Sequence, residues 1–176
     1  MKFKFSYYNE VKSTNDIAIR EIKKNCQSGV IVANNQIKGR GRYGKKWISY
    51  KGNIFMSIFF KINKKILKNK LNILNSLLIK KAIAIIIKKK ILIKHPNDLL
   101  INKKKFAGIL QETIVKNDIK YIIIGIGINL IKNPIINNYP TTNLLKETKM
   151  RISKKKLIKT IFKQFEKNHK KFALHA

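Results

Sequence analysis

The chain has 176 residues, 40 of them basic and 8 acidic, a length that suits one domain with its own core and a formal charge of +32. No run approaches the roughly 18 uncharged apolar residues of a membrane helix, the N-terminus lacks the apolar core of a signal peptide, and the single cysteine, Cys26, excludes an internal disulfide framework and fits a reducing, cytoplasmic compartment. Lysine is spread along the whole chain and inflated together with isoleucine and asparagine, the skew of an AT-rich coding sequence, so the charge is read first as compositional drift, with a basic nucleic-acid-binding protein as the competing reading.

Residues from about Lys2 to Tyr8 alternate like a strand. Ser13-Thr14-Asn15-Asp16 then reads as a helix start, Ser13 standing three residues before an acid as in a capping box, and the helix is expected to reach Lys24. Val30 to Asn34 reads as a short buried strand. It enters the loop Gly39-Arg40-Gly41-Arg42-Tyr43-Gly44-Lys45-Lys46-Trp47. Asn53 to Phe60 is a second buried strand, rich in β-formers. The spacing of Leu71, Leu74, Leu77, Leu78, Ile85 and Ile86 predicts a helix from about Lys70 to Lys88. Ile91 to Lys94 is a strand that stops at Pro96, whose ring also restricts His95. Strands at Leu99 to Asn102, Lys105 to Val115 and Ile119 to Leu130, with turns at Lys103-Lys104 and Asn117-Asp118, make an antiparallel meander. Pro134 to Thr142 is loop, and Ile152 to Phe172 a closing amphipathic helix. With no repeat and no linker, residues 1–176 are expected to form a single α+β domain, a mixed, largely antiparallel sheet with helices packed on it.

Only four of the 40 basic residues are arginine, and two of these, Arg40 and Arg42, share six positions with Gly39, Gly41 and Gly44. Lysine supplies positive charge elsewhere, so this loop calls for the planar fork that holds carboxylate or phosphate through paired hydrogen bonds. The competing reading is a solvated basic turn. Its glycines let backbone approach a ligand and leave the loop flexible when empty, and Gln36 stands just upstream. Trp47, the only tryptophan, is either a core anchor or a stacking face for a purine. Ser13, Thr14 and Asn15 either cap a helix or offer hydroxyl, amide and free N–H groups to a polar ligand. Pro96 aims Asn97 and Asp98 at one spot, unless they form only an Asx turn. Lys105, close to Ala107-Gly108, either leans over a pocket or is one more surface lysine. Gly125-Ile126-Gly127-Ile128-Asn129 interrupts an apolar strand with glycines, which mark a bulge or a close ligand, but lacks the strand-turn-helix setting of a dinucleotide fingerprint. His95, His169 and His175 form no metal site.

In order, Ser-Thr-Asn, Gly-Arg-Gly-Arg-x-Gly-x-x-Trp, Pro-Asn-Asp, Lys-x-Ala-Gly-Ile-Leu-x-Glu and Gly-x-Gly-x-Asn resemble the catalytic domain of bacterial biotin–protein ligases, from about Ser13 to Asn129. The resemblance implies the class II aminoacyl-tRNA synthetase-like fold of the biotin–lipoate ligases. It implies an enzyme that joins biotin and ATP as biotinyl-5′-AMP, then passes biotin to one lysine of a biotin carboxyl carrier protein. By the same resemblance Ser13, Thr14, Asn15, Gln36, Arg40, Gly41, Arg42, Lys105 and Gly108 bind biotin, and Arg42, Trp47, Asn97, Lys105 and Asn129 bind the nucleotide. Arg42 and Lys105 are expected to stabilise charge on the phosphate, and Asp98 to orient the acceptor amine. Mg²⁺ is expected with ATP, held by nucleotide and water and not by a protein cage.

Two departures stand out. His95 takes the place of a usual tryptophan, and Lys45 that of a frequent arginine. There is no room before Phe3 for the helix-turn-helix domain of repressor members, and the small C-terminal β-barrel of many members is also expected to be missing. A minimal ligase is therefore expected, without specific DNA binding or membrane attachment, and with a homodimer left open because sheet-edge dimers occur in the family. A lipoate–protein ligase shares fold and chemistry, but the Gly-Arg loop and the Lys-x-Ala-Gly strand favour biotin.

Overall fold

The computed structural model describes residues 3–65, 67–168 and 172. Strand β1 (Lys4–Val11) leads into helix α1 (Thr14–Lys23), whose start is set by Ser13: its hydroxyl accepts Asn15 N–H at 3.3 Å. Strand β2 (Ser28–Gln36) runs longer at both ends than its apolar stretch, and a single 3₁₀ turn (Arg42–Gly44) follows in the loop. Next come β3 (Ile54–Lys61), α2 (Lys68–Ala84), β4 (Leu92–Lys94), β5 (Asp98–Ile101), β6 (Lys104–Lys116) and β7 (Ile119–Ile128). Helices α3 (Leu144–Thr148) and α4 (Lys154–Asn168) complete the order. None of the helices among the described residues is long and apolar enough to cross a membrane.

The strands form one sheet in the order β1-β2-β3-β7-β6-β5-β4. Helix α1 carries the chain back between β1 and β2, which therefore run parallel, and the other neighbours are antiparallel. The mixed, largely antiparallel sheet is thus as expected. One hairpin turn is not where expected: it falls at Asn102-Lys103, both with positive φ (51° and 60°), one residue before Lys103-Lys104. Asparagine enters the left-handed region more readily than most residues, and such turns match the twist of the flanking strands. Asn117-Asp118 adopts the same geometry, with φ of 46° and 58°.

Helix α2 ends at Ala84, short of the expected Lys88, where the β-branched run Ile85-Ile86-Ile87 begins. Helix α3 was not anticipated. Its start is an Asn143 cap, whose side chain accepts Lys146 N–H at 2.8 Å. The closing helix is described from Lys154 to Asn168 with Phe172 buried beyond it, while His169 and His175 lie outside the described residues.

Residue alternation divides the sheet into two faces. Along β7, Ile122, Ile124, Ile126 and Ile128 point into the main core, where Ile79 and Ile83 of α2 and Leu157, Ile161 and Phe165 of α4 cover them. Each such side chain contributes roughly 1.5–3 kcal/mol by leaving water. On the opposite face α1 buries Ala18 and Ile22 against Ile31, Phe59, Tyr121 and Ile123. Helix α1 covers only that end. Beyond it β7 continues as Gly125 and Gly127, and the sheet is left as an open floor.

Candidate active site

That floor bounds a cavity of about 560 Å³, a volume suited to a small organic ligand. Every residue named as a site residue from the sequence lines it: Ser13, Thr14, Asn15, Gln36, Arg40, Gly41, Arg42, Trp47, Asn97, Asp98, Lys105, Gly108 and Asn129. Gly108 and Gly127 pair across β6 and β7, and the Trp47 indole lies on them. A Cβ on Gly127 would stand 2.5 Å from Trp47 Cζ2, and one on Gly108 would stand 2.8 Å from Cζ3. The glycines are therefore there to admit a flat ring, and no bulge is needed to explain them. Trp47 is half-buried, its Nε1–H is buried without an acceptor, and the Lys105 ammonium stands 5.4 Å from the ring centroid.

At the α1 end the groups predicted to meet ligand are bonded to one another. Thr14 N–H donates to Gln36 Oε1 at 2.9 Å, and the Thr14 hydroxyl lies 3.2 Å from the same oxygen. Asn15 sits over Gly125, where a Cβ would come 2.5 Å from its Oδ1. The Ser57 hydroxyl, buried on β3, is 2.5 Å from Asn15 Oδ1 and 2.8 Å from Thr14 Oγ1, and Asn15 Nδ2 donates to Glu112 at 2.5 Å. Sequence reasoning missed Ser57, although it is the one polar side chain within the run Ile54 to Phe60. It quoted Glu112 within a motif without giving it a role.

Arg40 and Arg42 are differently engaged. Arg40 Nη1 donates to Asp16 at 2.5 Å, and Nη2 donates to the two Glu112 oxygens at 3.2 and 3.1 Å. Burial works against its charge, but the Asp16 hydrogen bond and the charges of Glu112 and Asp16 outweigh burial and raise its pKa. The loop base is a closed ribbon, with Trp47 N–H donating to Gly39 O at 2.9 Å. Its tip is open: Tyr43, at φ 55°, is 86% exposed, and Arg42 stacks on its ring and donates to its hydroxyl at 2.8 Å. Arg40 thus anchors the loop, and Arg42 is the guanidinium at its exposed tip. Arg40→Ala is expected to lower stability by on the order of 1–2 kcal/mol, about 4 °C in Tm for a chain of this size, because the cluster is only part-buried. A thermal melt at low and high salt checks it, and the loss should shrink with salt.

The other end carries the charge chemistry. Lys105 Nζ is 2.8 Å from Asp98 Oδ1, and the Tyr139 hydroxyl donates to Asp98 Oδ2 at 2.6 Å. Burial, then the hydrogen bond and charge of Asp98, raises the Tyr139 pKa, so its proton stays in place at neutral pH. Tyr139 had no signal in the sequence; it stands in a Pro/Asn-rich loop. Asn97 donates to Ile109 O at 2.9 Å and ties the Pro-Asn-Asp turn to β6. Asn129 donates to Thr142 O at 3.1 Å, while its buried Oδ1 has no donor. His95, exposed at the cavity edge, offers no counterpart to the indole expected there.

Among the described residues Asp98 is the one acid lining the cavity, along with the cations Arg42, Lys45, Lys46, Lys94 and Lys105 and with Arg40, which is already paired to Asp16 and Glu112. Such a wall favours an anionic ligand. The described residues hold no cluster of three or more His, Cys, Asp or Glu suited to a metal ion, and Asp98 is taken by Lys105 and Tyr139.

Residues 7–129 match the model of the Biotin/lipoate A/B protein ligase family. Over 179 residues the chain is 32% identical to the bifunctional ligase/repressor BirA of Bacillus subtilis, covering 96% of this chain and 54% of that protein. It is 30% identical to the biotin–[acetyl-CoA-carboxylase] ligase of Paracoccus denitrificans, over 69% of this chain and 52% of the relative. The chain spans about half the length of these curated relatives. A solved structure of the biotin protein ligase from Aquifex aeolicus, in complex with biotin and ATP, is similar with a TM-score of 0.80 and 29% identity, over 96% of this chain and 71% of that one. The matched span runs from β1 to Asn129 and takes in the capped start of α1, the arginine loop and the Asp98–Lys105 pair, and the chain belongs to the biotin/lipoate A/B protein ligase family.

Proposed function

We propose that this chain is a biotin–protein ligase, which activates biotin with ATP to biotinyl-5′-AMP and transfers it to a lysine of a biotin carboxyl carrier protein. The observation that carries the reading is the division of one cavity into a hydrogen-bonding corner at Thr14, Asn15 and Gln36, with Ser57 buried behind it, and a basic corner at Lys105. The first suits the ureido head of biotin, and the second suits its carboxylate and the α-phosphate. The Paracoccus denitrificans relative and the Aquifex aeolicus structure are named as biotin ligases, which favours biotin over lipoate.

In the first half-reaction a biotin carboxylate oxygen bonds to the α-phosphorus and pyrophosphate leaves. Two anions at about 4 Å repel by about 4 kcal/mol at an effective dielectric of about 20. Lys105 offsets that repulsion from a fixed position, and Arg42 adds to it by turning from Tyr43 as the loop tip closes and excludes water. Trp47 Nε1 and Asn129 Oδ1, both buried and unpaired, offer a donor and an acceptor to the nucleotide. Mg²⁺ would travel with the ATP phosphates, held by them and by water, and no step is assigned to a protein-bound metal. In the second half-reaction Asp98 orients the acceptor lysine, only about one part in a thousand of which is neutral near pH 7.4. The reading places the protein in the cytoplasm with no specific DNA partner. It leaves the β1 and β4 edges of the sheet open to a second copy.

The test is incubation with Mg-ATP, biotin and a purified carrier domain, read by intact mass of the carrier. One biotinyl group is expected per carrier, and none when lipoate replaces biotin. A carrier left unmodified, with no biotin-dependent release of pyrophosphate, overturns the proposal.

A further inference from the structure

Asp98 has both carboxylate oxygens engaged before any substrate arrives, Oδ2 by a hydrogen bond and Oδ1 by an ion pair alone, and the two partners are held in different ways. Lys105 stands 2.8 Å from Oδ1 as an ion pair with no hydrogen bond, so Oδ1 keeps its acceptor capacity for an incoming donor. Tyr139 reaches Oδ2 at 2.6 Å from a loop strapped to β6 on its C-terminal side. There Lys105 N–H donates to Pro140 O at 2.9 Å, and Thr142 N–H donates back to Lys105 O at 2.9 Å. The Tyr139 ring is also gripped by two ammonium groups, Lys94 at 4.5 Å and Lys105 at 5.5 Å from its centroid. One contact is therefore exchangeable and the other is built in.

We infer that Tyr139 is a positioning residue for acyl transfer: it pins Oδ2 of Asp98, so that Oδ1 alone changes partners, from Lys105 to the incoming acceptor amine. The inference rests on the ligase reading above. An adenylate in the cavity competes for the Lys105 ammonium through its phosphate and carbonyl oxygens, and this frees Oδ1. The acceptor nitrogen then bonds to the acyl carbon, the bond from that carbon to the phosphate oxygen breaks, and AMP leaves with the bonding pair. The proton shed by the nitrogen passes to Oδ1 and on to solvent. A carboxylate already fixed at one oxygen loses little further orientational freedom when the amine docks, which is the gain a positioning contact supplies.

Tyr139→Phe tests this, because it keeps the ring between Lys94 and Lys105 and removes only the hydroxyl. Enzyme carrying preformed biotinyl-5′-AMP is mixed in single turnover with carrier domain or with hydroxylamine. The latter is neutral at assay pH, needs no Asp98 to orient it, and reports the adenylate directly. Transfer to the carrier is expected to slow by about tenfold or more, in the rate constant at saturating carrier and not in the carrier concentration that half-saturates it. Adenylate formation and capture by hydroxylamine should stay within about threefold of wild type. In an Asp98→Asn background the added Tyr139→Phe change should have no further effect on carrier transfer. Wild-type carrier transfer, equal slowing with both acceptors, or a loss undiminished in the Asp98→Asn background each overturns the inference. If wild type makes no adenylate, the ligase reading fails first and the inference falls with it.

Discussion

Lys105→Ala is expected to lower biotin-dependent ATP–pyrophosphate exchange by about 10²–10³-fold, the usual cost of losing one fixed charge aimed at a reacting oxyanion. Lys105 is placed for this by its surroundings. Its side chain is 21% exposed, its backbone is bridged to Thr141, and its ammonium is confined between Asp98 and the Trp47 and Tyr139 rings. The same substitution strands a carboxylate, because Asp98 is 14% exposed and loses its cation. Stability should therefore also fall, by about 2 kcal/mol after discounting for partial exposure. The two effects separate in the double variant Lys105→Met, Asp98→Asn, which removes both charges at similar volume. Thermal stability should return to near wild type while exchange stays lost. Exchange at wild-type rate in a folded Lys105→Ala protein would remove Lys105 from the chemistry.

Gly127→Ala should empty the cavity floor of its indole. The new Cβ meets Trp47 Cε2 and Cζ2 at 2.5 Å and Nε1 at 2.9 Å. Strand β7 has no room to yield, since Gly127 is paired with Phe55 on one side and Gly108 on the other. The ring must therefore move. Trp47 is the only tryptophan, so its emission reports the site alone, and a red shift on exposure is expected. Nucleotide affinity should fall by at least tenfold, about 1.4 kcal/mol, as a stacking face and the Nε1 donor are lost together. Overall stability should change by less than about 1 kcal/mol, because alanine suits a strand better than glycine. Unchanged emission with unchanged affinity would show that the indole does not need this floor.

Local rules sufficed wherever the cause lies within a few residues. Ser13 caps α1 because its hydroxyl needs only the Asn15 N–H, and Asn117-Asp118 turns the β6–β7 hairpin because both residues enter the left-handed region. They failed at α3, where one cap and a five-residue helix leave too little periodicity to see, and at the turn one residue before Lys103-Lys104. Motif order identified the residues that line the cavity, because each motif is a short stretch of chain delivered to the same face of the sheet.

The sequence by itself determined the strands and the long helices, the glycines that interrupt β7, and most of the side chains brought to the cavity, with α3 and Tyr139 the exceptions. Only the tertiary structure decided what those side chains are bonded to. Asn15 meets Glu112 across 97 positions, and Tyr139 meets Asp98 across 41. Arg40 is an anchor because Asp16 and Glu112 both stand beside it, and Arg42 stays at the open tip because neither does. A hydrogen bond between distant residues depends on sheet order and register, and neither has a local signature in the chain.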